Sequence, residues 1–239
     1  MTYQLKIQRG EGDGERVWQT FSTPCGANDS VACALDELNG RADLRDRDGK
    51  EAAPIRWDCA CLEKKCGACA MVIGGKPRLA CATTLQDGAD SDGVVVLQPL
   101  KKFPRLHDLR VDRQVLFDTL RDMEIWLEND AAADGGAENR TLRYKAAACL
   151  MCGLCLEVCP NFDLRSSFAG ALAVPAVFGA ADESENGEHR RAVCKQYRKR
   201  FFAGCSKSLS CRDICPAGVP MEQLLVKTNA AAVWRRGRK

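Results

Sequence analysis

Tyr3, Leu5 and Ile7 alternate with polar residues, the two-residue period of a strand with one buried face. A turn-rich stretch, Gly10–Gly14, separates this strand from a second over Arg16–Ser22. The spacing of Val31, Leu35 and Leu38 then becomes helical, with Asp29 or Ser30 available as an N-cap and Gly40 as a stop. Val72–Ile73 and Pro77–Leu79 flank Gly74-Gly75, the pattern of a hairpin whose turn requires glycine. Val94–Leu97 reads as a buried strand. After Pro99 and Pro104 the period changes: Val115, Leu116, Leu120, Met123 and Leu127 recur at helical spacing from Asp112 onward. Asn129–Asn139 reads as a loop, and Pro220 suits the first turn of a closing helix reaching about Val233. The expected class is α+β, with a β-rich domain over 1–104 and a helical domain over 105–239.

Composition narrows the function. The 239 residues are 46% hydrophobic and 28% charged, so the chain can fold around a core. Its net charge is only +3, with 35 Lys and Arg against 32 Asp and Glu, which argues against a nucleic-acid partner held by a basic field. No run approaches the ~18 apolar residues of a membrane span, and the N-terminus lacks the apolar core of a secretory signal. A cytoplasmic, reducing location is expected. In such a compartment 15 cysteines point to metal rather than to disulfides.

Eleven of those cysteines fall in three runs. Cys61, Cys66, Cys69 and Cys81 follow C-x4-C-x2-C with a fourth cysteine farther on, the plant-type ferredoxin spacing for [2Fe–2S]. A four-cysteine zinc site would use paired C-x2-4-C hooks, and only Cys66/Cys69 forms one. Cys149, Cys152, Cys155 and Cys159-Pro160 form C-x2-C-x2-C-x3-C-P, whose fourth cysteine serves the other cluster in two-cluster ferredoxins. The matching run is Cys205, Cys211 and Cys215-Pro216, with Ser208 in place of its second cysteine. Crossing the runs gives Cys149, Cys152, Cys155 and Cys215 as a four-thiolate [4Fe–4S] set. It leaves Cys159, Cys205 and Cys211 as a three-thiolate set, expected to hold [3Fe–4S]. The alternative, a [4Fe–4S] cluster with a serine oxygen at its fourth iron, asks a hard ligand to serve a soft site.

A plant-type [2Fe–2S] segment followed by crossed [4Fe–4S]/[3Fe–4S] runs resembles the iron–sulfur subunit of succinate dehydrogenases and fumarate reductases. The most telling phrases are Lys65-Cys66-Gly67-Ala68-Cys69, Gly75–Cys81, Cys152-Gly153-Leu154-Cys155 and the Pro99–Asp112 linker. The resemblance implies a β-grasp ferredoxin domain followed by a helical, bacterial-type dicluster ferredoxin domain. It further implies electron relay through the three clusters, between FAD on a separate flavoprotein and quinone or haem b in a hydrophobic membrane anchor. The chain would then be peripheral on the cytoplasmic face of the cell membrane, with no catalytic acid or base of its own. Quinone-using relatives carry a tryptophan and a histidine where this chain has Leu164 and Ser206. Pro160, Phe162, Ser206 and Lys207 are the remaining candidates for a quinone vicinity. A soluble fumarate reductase subunit using a non-quinone carrier is the alternative, although no cysteine-rich extension follows Cys215.

Other residues have plainer readings. Cys25, Cys33, Cys59 and Cys194 are expected to be buried thiols, because free cysteine behaves as a small hydrophobe. Trp18, Trp57 and Trp126 are expected in the core, with Trp57 close enough in sequence to Cys61 to shield it. His107 and His189 are expected at the surface or in linkers. The run Arg190–Arg200 reads as a solvated helix face, and Trp234–Lys239 as a basic tail suited to lipid headgroups.

Overall fold

Alternation along Gln4–Arg9 (β1) produces the expected strand, with Leu5 and Ile7 fully buried and Lys6 turned out. The computed structural model describes residues 2–126, 139–183 and 187–234. The expectations for Leu127, for the loop at 129–138 and for the tail at 235–239 lie outside the described residues. The chain divides into two units, Met1–Asp112 and Arg113–Lys239.

In the first unit β1 pairs antiparallel with Val17–Ser22 (β2) and parallel with Val94–Gln98 (β5). Ala70–Ile73 (β3) pairs antiparallel with both β5 and Lys76–Leu79 (β4), giving a five-stranded mixed sheet in the order β2-β1-β5-β3-β4. The β3–β4 turn is Gly74-Gly75, both at positive φ, and a side chain on Gly74 would stand 2.7 Å from the carbonyl of Gly88. Val31–Asn39 (α1) is capped by Ser30, whose hydroxyl accepts the Cys33 N–H, and ends at Gly40. It buries Val31, Ala32, Ala34, Leu35 and Leu38. Burial of Val31, Leu35 and Leu38 contributes about 1.5–3 kcal/mol each. The helix lies against a 3-10 turn, Ala80–Ala82, that carries Cys81. A short helix, Leu85–Gly88 (α2), leads into β5.

The hairpin Arg105–His107 (β6) and Arg110–Val111 (β7) belongs to this first unit, so the division falls after Asp112 rather than after Pro104. A buried network anchors the hairpin. Asp108, 1% exposed, accepts the N–H groups of Gly10 and Arg56, and Arg9 Nε lies 3.0 Å from its Oδ2. That contact is an ion pair without good hydrogen-bond alignment. Other Arg9 nitrogens donate to Gln19 and to the carbonyls of Ala53 and Pro54.

The second unit contains Gln114–Asp122 (α3), Arg140–Ala147 (α4), Leu154–Glu157 (α5), Ala173–Glu183 (α6), Gly187–Tyr197 (α7), Ser210–Asp213 (α8) and Met221–Asn229 (α9). Pro220 sits at the N-cap of α9. Two wide π-helical turns, Arg198–Phe202 and Ala230–Trp234, extend α7 and α9. Val174, Val177, Val193, Tyr197, Phe201 and Leu224 form the centre of the core, and Cys149, Cys155, Cys205, Cys211 and Cys215 pack against it.

Gly170 is fixed by this packing. Its φ is +70°, and a Cβ there would lie 2.2 Å from Leu156 and 3.1 Å from Phe162. Both neighbours are buried. Gly170→Ala is expected to cost about 2–4 kcal/mol from the left-handed backbone and overpacking together, read as a lower urea midpoint. Leu156 lies between Cys155 and Cys159, so iron content should fall in the same variant.

Several single-residue expectations are corrected. Trp18 is 43% and Trp126 49% exposed; Lys6 covers one face of Trp18, so its edge strand needs no deeper burial. His189 is buried, with Nε2 3.2 Å from the Trp126 carbonyl. Arg198 and Arg200 are not free on a solvated face: Arg198 donates to Ala232 O, and Arg200 reaches Ser167 O and Asp122.

Candidate iron–sulfur sites

The first group of cysteines is built by backbone. Leu62, Lys64 and Gly67 have φ of 56°, 61° and 74°, which turns successive peptide N–H groups to one side of the loop. Glu63 and Lys65 N–H donate to Cys61 Sγ at 3.4 and 3.2 Å, and Lys64 N–H donates to Cys81 Sγ at 3.2 Å. Ala68 N–H points to Cys66 Sγ and Cys81 N–H to Cys69 Sγ, both at 3.5 Å. The four thiols fall into two pairs along the chain: Cys61 and Cys66 close the two ends of the loop, and Cys69 Sγ is 3.4 Å from Cys81 Sγ.

The pairs differ in environment. The N–H groups of Glu63 and Lys65 bring the Cys61 thiol down to about 7, whereas burial pushes Cys69 up to about 12. Peptide N–H groups aimed at sulfur stabilise thiolate over thiol, the donor arrangement an anionic iron–sulfur group needs.

The second unit contains two further groups, and its backbone repeats. Met151 and Gly153 flank Cys152 with φ of 53° and 85°; Lys207 and Leu209 flank Ser208 with φ of 60° and 59°. A four-residue helix follows each, α5 and α8, and each run ends in Cys-Pro. Ser208 therefore occupies the place of Cys152 in conformation as well as in spacing.

Cys149, Cys152, Cys155 and Cys215 line one cavity, with Leu116, Pro175 and Val219 in its wall; Cys211 also borders it. Burial pushes Cys149 up, Cys152 up to about 11, and Cys155 farther still. Cys159, Cys205 and Cys211 line a second cavity with Ser206, Lys207, Ser208, Phe168 and Phe201. Burial, then the neighbouring Cys205, pushes Cys211 up to about 11. Thiols raised in this way ionise when cations displace their protons, which is how a metal cluster binds thiols in an apolar wall.

Among the described residues no three Cys, His, Asp or Glu side chains are grouped to hold a single metal ion. A cluster of several irons spreads its thiolates around itself. The donor chemistry fits such groups: thiols only, peptide N–H groups directed at sulfur, and apolar walls.

Of the residues considered near a quinone, Ser206 and Lys207 line the Cys159/Cys205/Cys211 cavity. Phe162 is buried beneath Gly170, and Pro160 is exposed. An adjoining cavity of about 310 Å3 lies between Cys205, Lys207, Phe202, Leu225 and Val226. Trp57 is half-buried. Cys33 and Cys59 are exposed and Cys25 half-buried, contrary to the expectation of buried thiols; only Cys194 of these four is buried. Their loops and the outer face of α1 give them no apolar cover. The sequence offered no sign of the N–H···S pattern, because Leu62 and Lys64 are not residue types that favour positive φ.

Residues 4–118 match the family of 2Fe-2S iron-sulfur cluster binding domains. The succinate dehydrogenase iron-sulfur subunit of Bacillus subtilis (strain 168) is 34% identical over 224 residues, covering 88% of this chain and 84% of its own length. The fumarate reductase iron-sulfur subunit of Wolinella succinogenes is 28% identical, covering 70% of this chain and 73% of its own. A solved chain of the Mycobacterium smegmatis Sdh1 complex in the apo form superposes with a TM-score of 0.81 at 19% identity, over 99% of this chain and 98% of its own, a likeness of fold. By its sequence, this chain belongs to the family of succinate dehydrogenase and fumarate reductase iron–sulfur subunits.

Proposed function

We propose that the chain is the electron-transfer subunit of a succinate dehydrogenase/fumarate reductase complex, relaying electrons between a FAD-containing flavoprotein and quinone or haem in a membrane anchor. The observation that carries this is the gathering of eleven cysteines into three separate groups. Bound iron–sulfur clusters supply the one-electron donors and acceptors that no side chain here provides. The first unit, a five-stranded mixed sheet with α1 as its longest helix, would be a β-grasp ferredoxin domain, and the second a helical dicluster ferredoxin domain.

Cys61, Cys66, Cys69 and Cys81 would hold [2Fe–2S], one thiol pair to each iron. Lys64 N–H ties the two pairs together, and the N–H groups around Cys61 help set the potential. Cys149, Cys152, Cys155 and Cys215 would hold [4Fe–4S], with apolar walls excluding water. Cys159, Cys205 and Cys211 would hold [3Fe–4S]. Ser206 and Lys207 stand at the latter cavity, next to the larger apolar one, the place this chain offers a quinone. The anchor would hold the chain at the cytoplasmic face; no helix among the described residues is long and apolar enough to cross a membrane.

Electron paramagnetic resonance on the anaerobically purified complex tests the assignment. An oxidised [3Fe–4S] signal, followed on stepwise reduction by a [2Fe–2S] signal, is expected. Iron and sulfide analysis showing two intact [4Fe–4S] clusters would overturn the three-thiol reading. Purification without any hydrophobic or haem-bearing subunit would redirect the chain to a soluble fumarate reductase.

A further inference from the structure

The two Cys-Pro turns of the second unit close in the same way but differ in one side chain. Phe162 N–H donates to Cys159 O at 3.3 Å, and Gly218 N–H donates to Cys215 O at 3.2 Å, so each chain folds back three residues after its cysteine. Between these residues stand Pro160-Asn161 in the first turn and Pro216-Ala217 in the second. Asn161 Nδ2 donates to Gly204 O at 2.6 Å. Gly204 directly precedes Cys205, so this bond joins the turn that carries Cys159 to the loop that carries Cys205. Ala217, in the corresponding place after Cys215, has no side-chain donor.

The acceptor is fixed by its surroundings. A Cβ on Gly204 would stand 2.7 Å from Phe168, whose ring stacks on Phe201 at 5.7 Å, and both rings wall the Cys159/Cys205/Cys211 cavity. Gly204 N–H donates to Phe201 O at 3.1 Å. Farther along, Ala169 N–H donates to Arg200 O and Arg200 Nε to Ser167 O. The segment that follows Cys159 is thus tied at both ends to the chain approaching Cys205, and the tie nearest the cysteines is the Asn161 side chain.

We propose that Asn161 is a positioning residue for the three-thiolate site, a strut that sets the separation of Cys159 from Cys205; this rests on the [3Fe–4S] reading of Cys159, Cys205 and Cys211. In the four-thiolate set one run supplies Cys149, Cys152 and Cys155, and Cys215 crosses from the other. In the three-thiolate set the second run supplies only Cys205 and Cys211, because Ser208 takes the middle place, and Cys159 crosses alone. With one thiolate bond fewer, the cluster restrains its two loops less, and a hydrogen bond within the protein supplies the missing restraint. Asn161 is exposed, so replacing it leaves the core undisturbed.

The test compares variants of the intact, anaerobically purified complex. In Asn161→Ala the oxidised [3Fe–4S] resonance should broaden, since a looser site takes more arrangements. An iron chelator should empty that site about two- to tenfold faster, the change expected from losing one hydrogen bond. The [2Fe–2S] and [4Fe–4S] spectra should match wild type. Asn161→Gln keeps an amide donor on a longer arm and should return line shape and release rate toward wild type. An Asn161→Ala complex that behaves as wild type would overturn the strut while leaving the ligand set standing. Equal changes at all three clusters, or no recovery in Asn161→Gln, would also overturn it. A wild-type complex without the oxidised [3Fe–4S] signal would overturn the ligand reading itself, and the strut with it.

Discussion

Ser208→Cys should abolish the oxidised [3Fe–4S] signal and raise the iron content by about one atom per chain. Ser208 lines the same cavity as Cys159, Cys205 and Cys211, and its hydroxyl accepts that of Ser210 at 3.3 Å. Its flanking residues have the same left-handed backbone as those around Cys152. A thiol placed there should therefore point as Cys152 does, giving this site a fourth soft ligand. Chemical iron analysis and resonance spectra of the variant check the result. A variant that keeps the [3Fe–4S] signal would show that the serine position does not face the open corner.

Asp108→Asn should be the most destabilising surface-preserving change in the first unit. The substitution retains shape, and asparagine tolerates the φ of 48° at this position. It removes the charge opposite buried Arg9, and breaking one partner of a buried pair costs about 3–5 kcal/mol. The urea midpoint, followed by circular dichroism, should fall accordingly.

The pH dependence has a definite sign. Burial alone would raise the Asp108 carboxyl, but the N–H groups of Arg56 and Gly10 and the Arg9 guanidinium outweigh it and hold the carboxyl below its usual value. Its contribution is therefore complete above the unfolded value of about 3.9 and is lost as pH falls through the lower folded value. The gap between wild type and Asp108→Asn should narrow below pH ~4. A gap independent of pH would mean that shape, not charge, holds the hairpin.

The cysteine runs were legible in the sequence because the spacing of ligands along a chain reflects the geometry of what they bind. Gly74-Gly75 and Ser30 were legible for a similar reason: a tight turn and a helix cap restrict residue type locally. Asp108 was not legible, since its partners Arg9, Gly10 and Arg56 are far away in sequence and nothing local marks a buried carboxylate. His189 and Cys33 were misjudged because burial of a single side chain depends on which element covers it. The repeat between Cys152 and Ser208 was visible as spacing. Its left-handed residues were not, since Met151, Lys207 and Leu209 are types that the surrounding structure forces into that conformation.

The loop from Cys61 to Cys66 separates two tasks that usually compete for the same atoms. Its contacts with sulfur come from peptide N–H groups, which every non-proline residue possesses. The side chains of Glu63, Lys64 and Lys65 are exposed and make none of those contacts. Evolution can thus rewrite the outward chemistry of this loop to suit a new redox partner while the electrical environment of the sulfurs stays as it was.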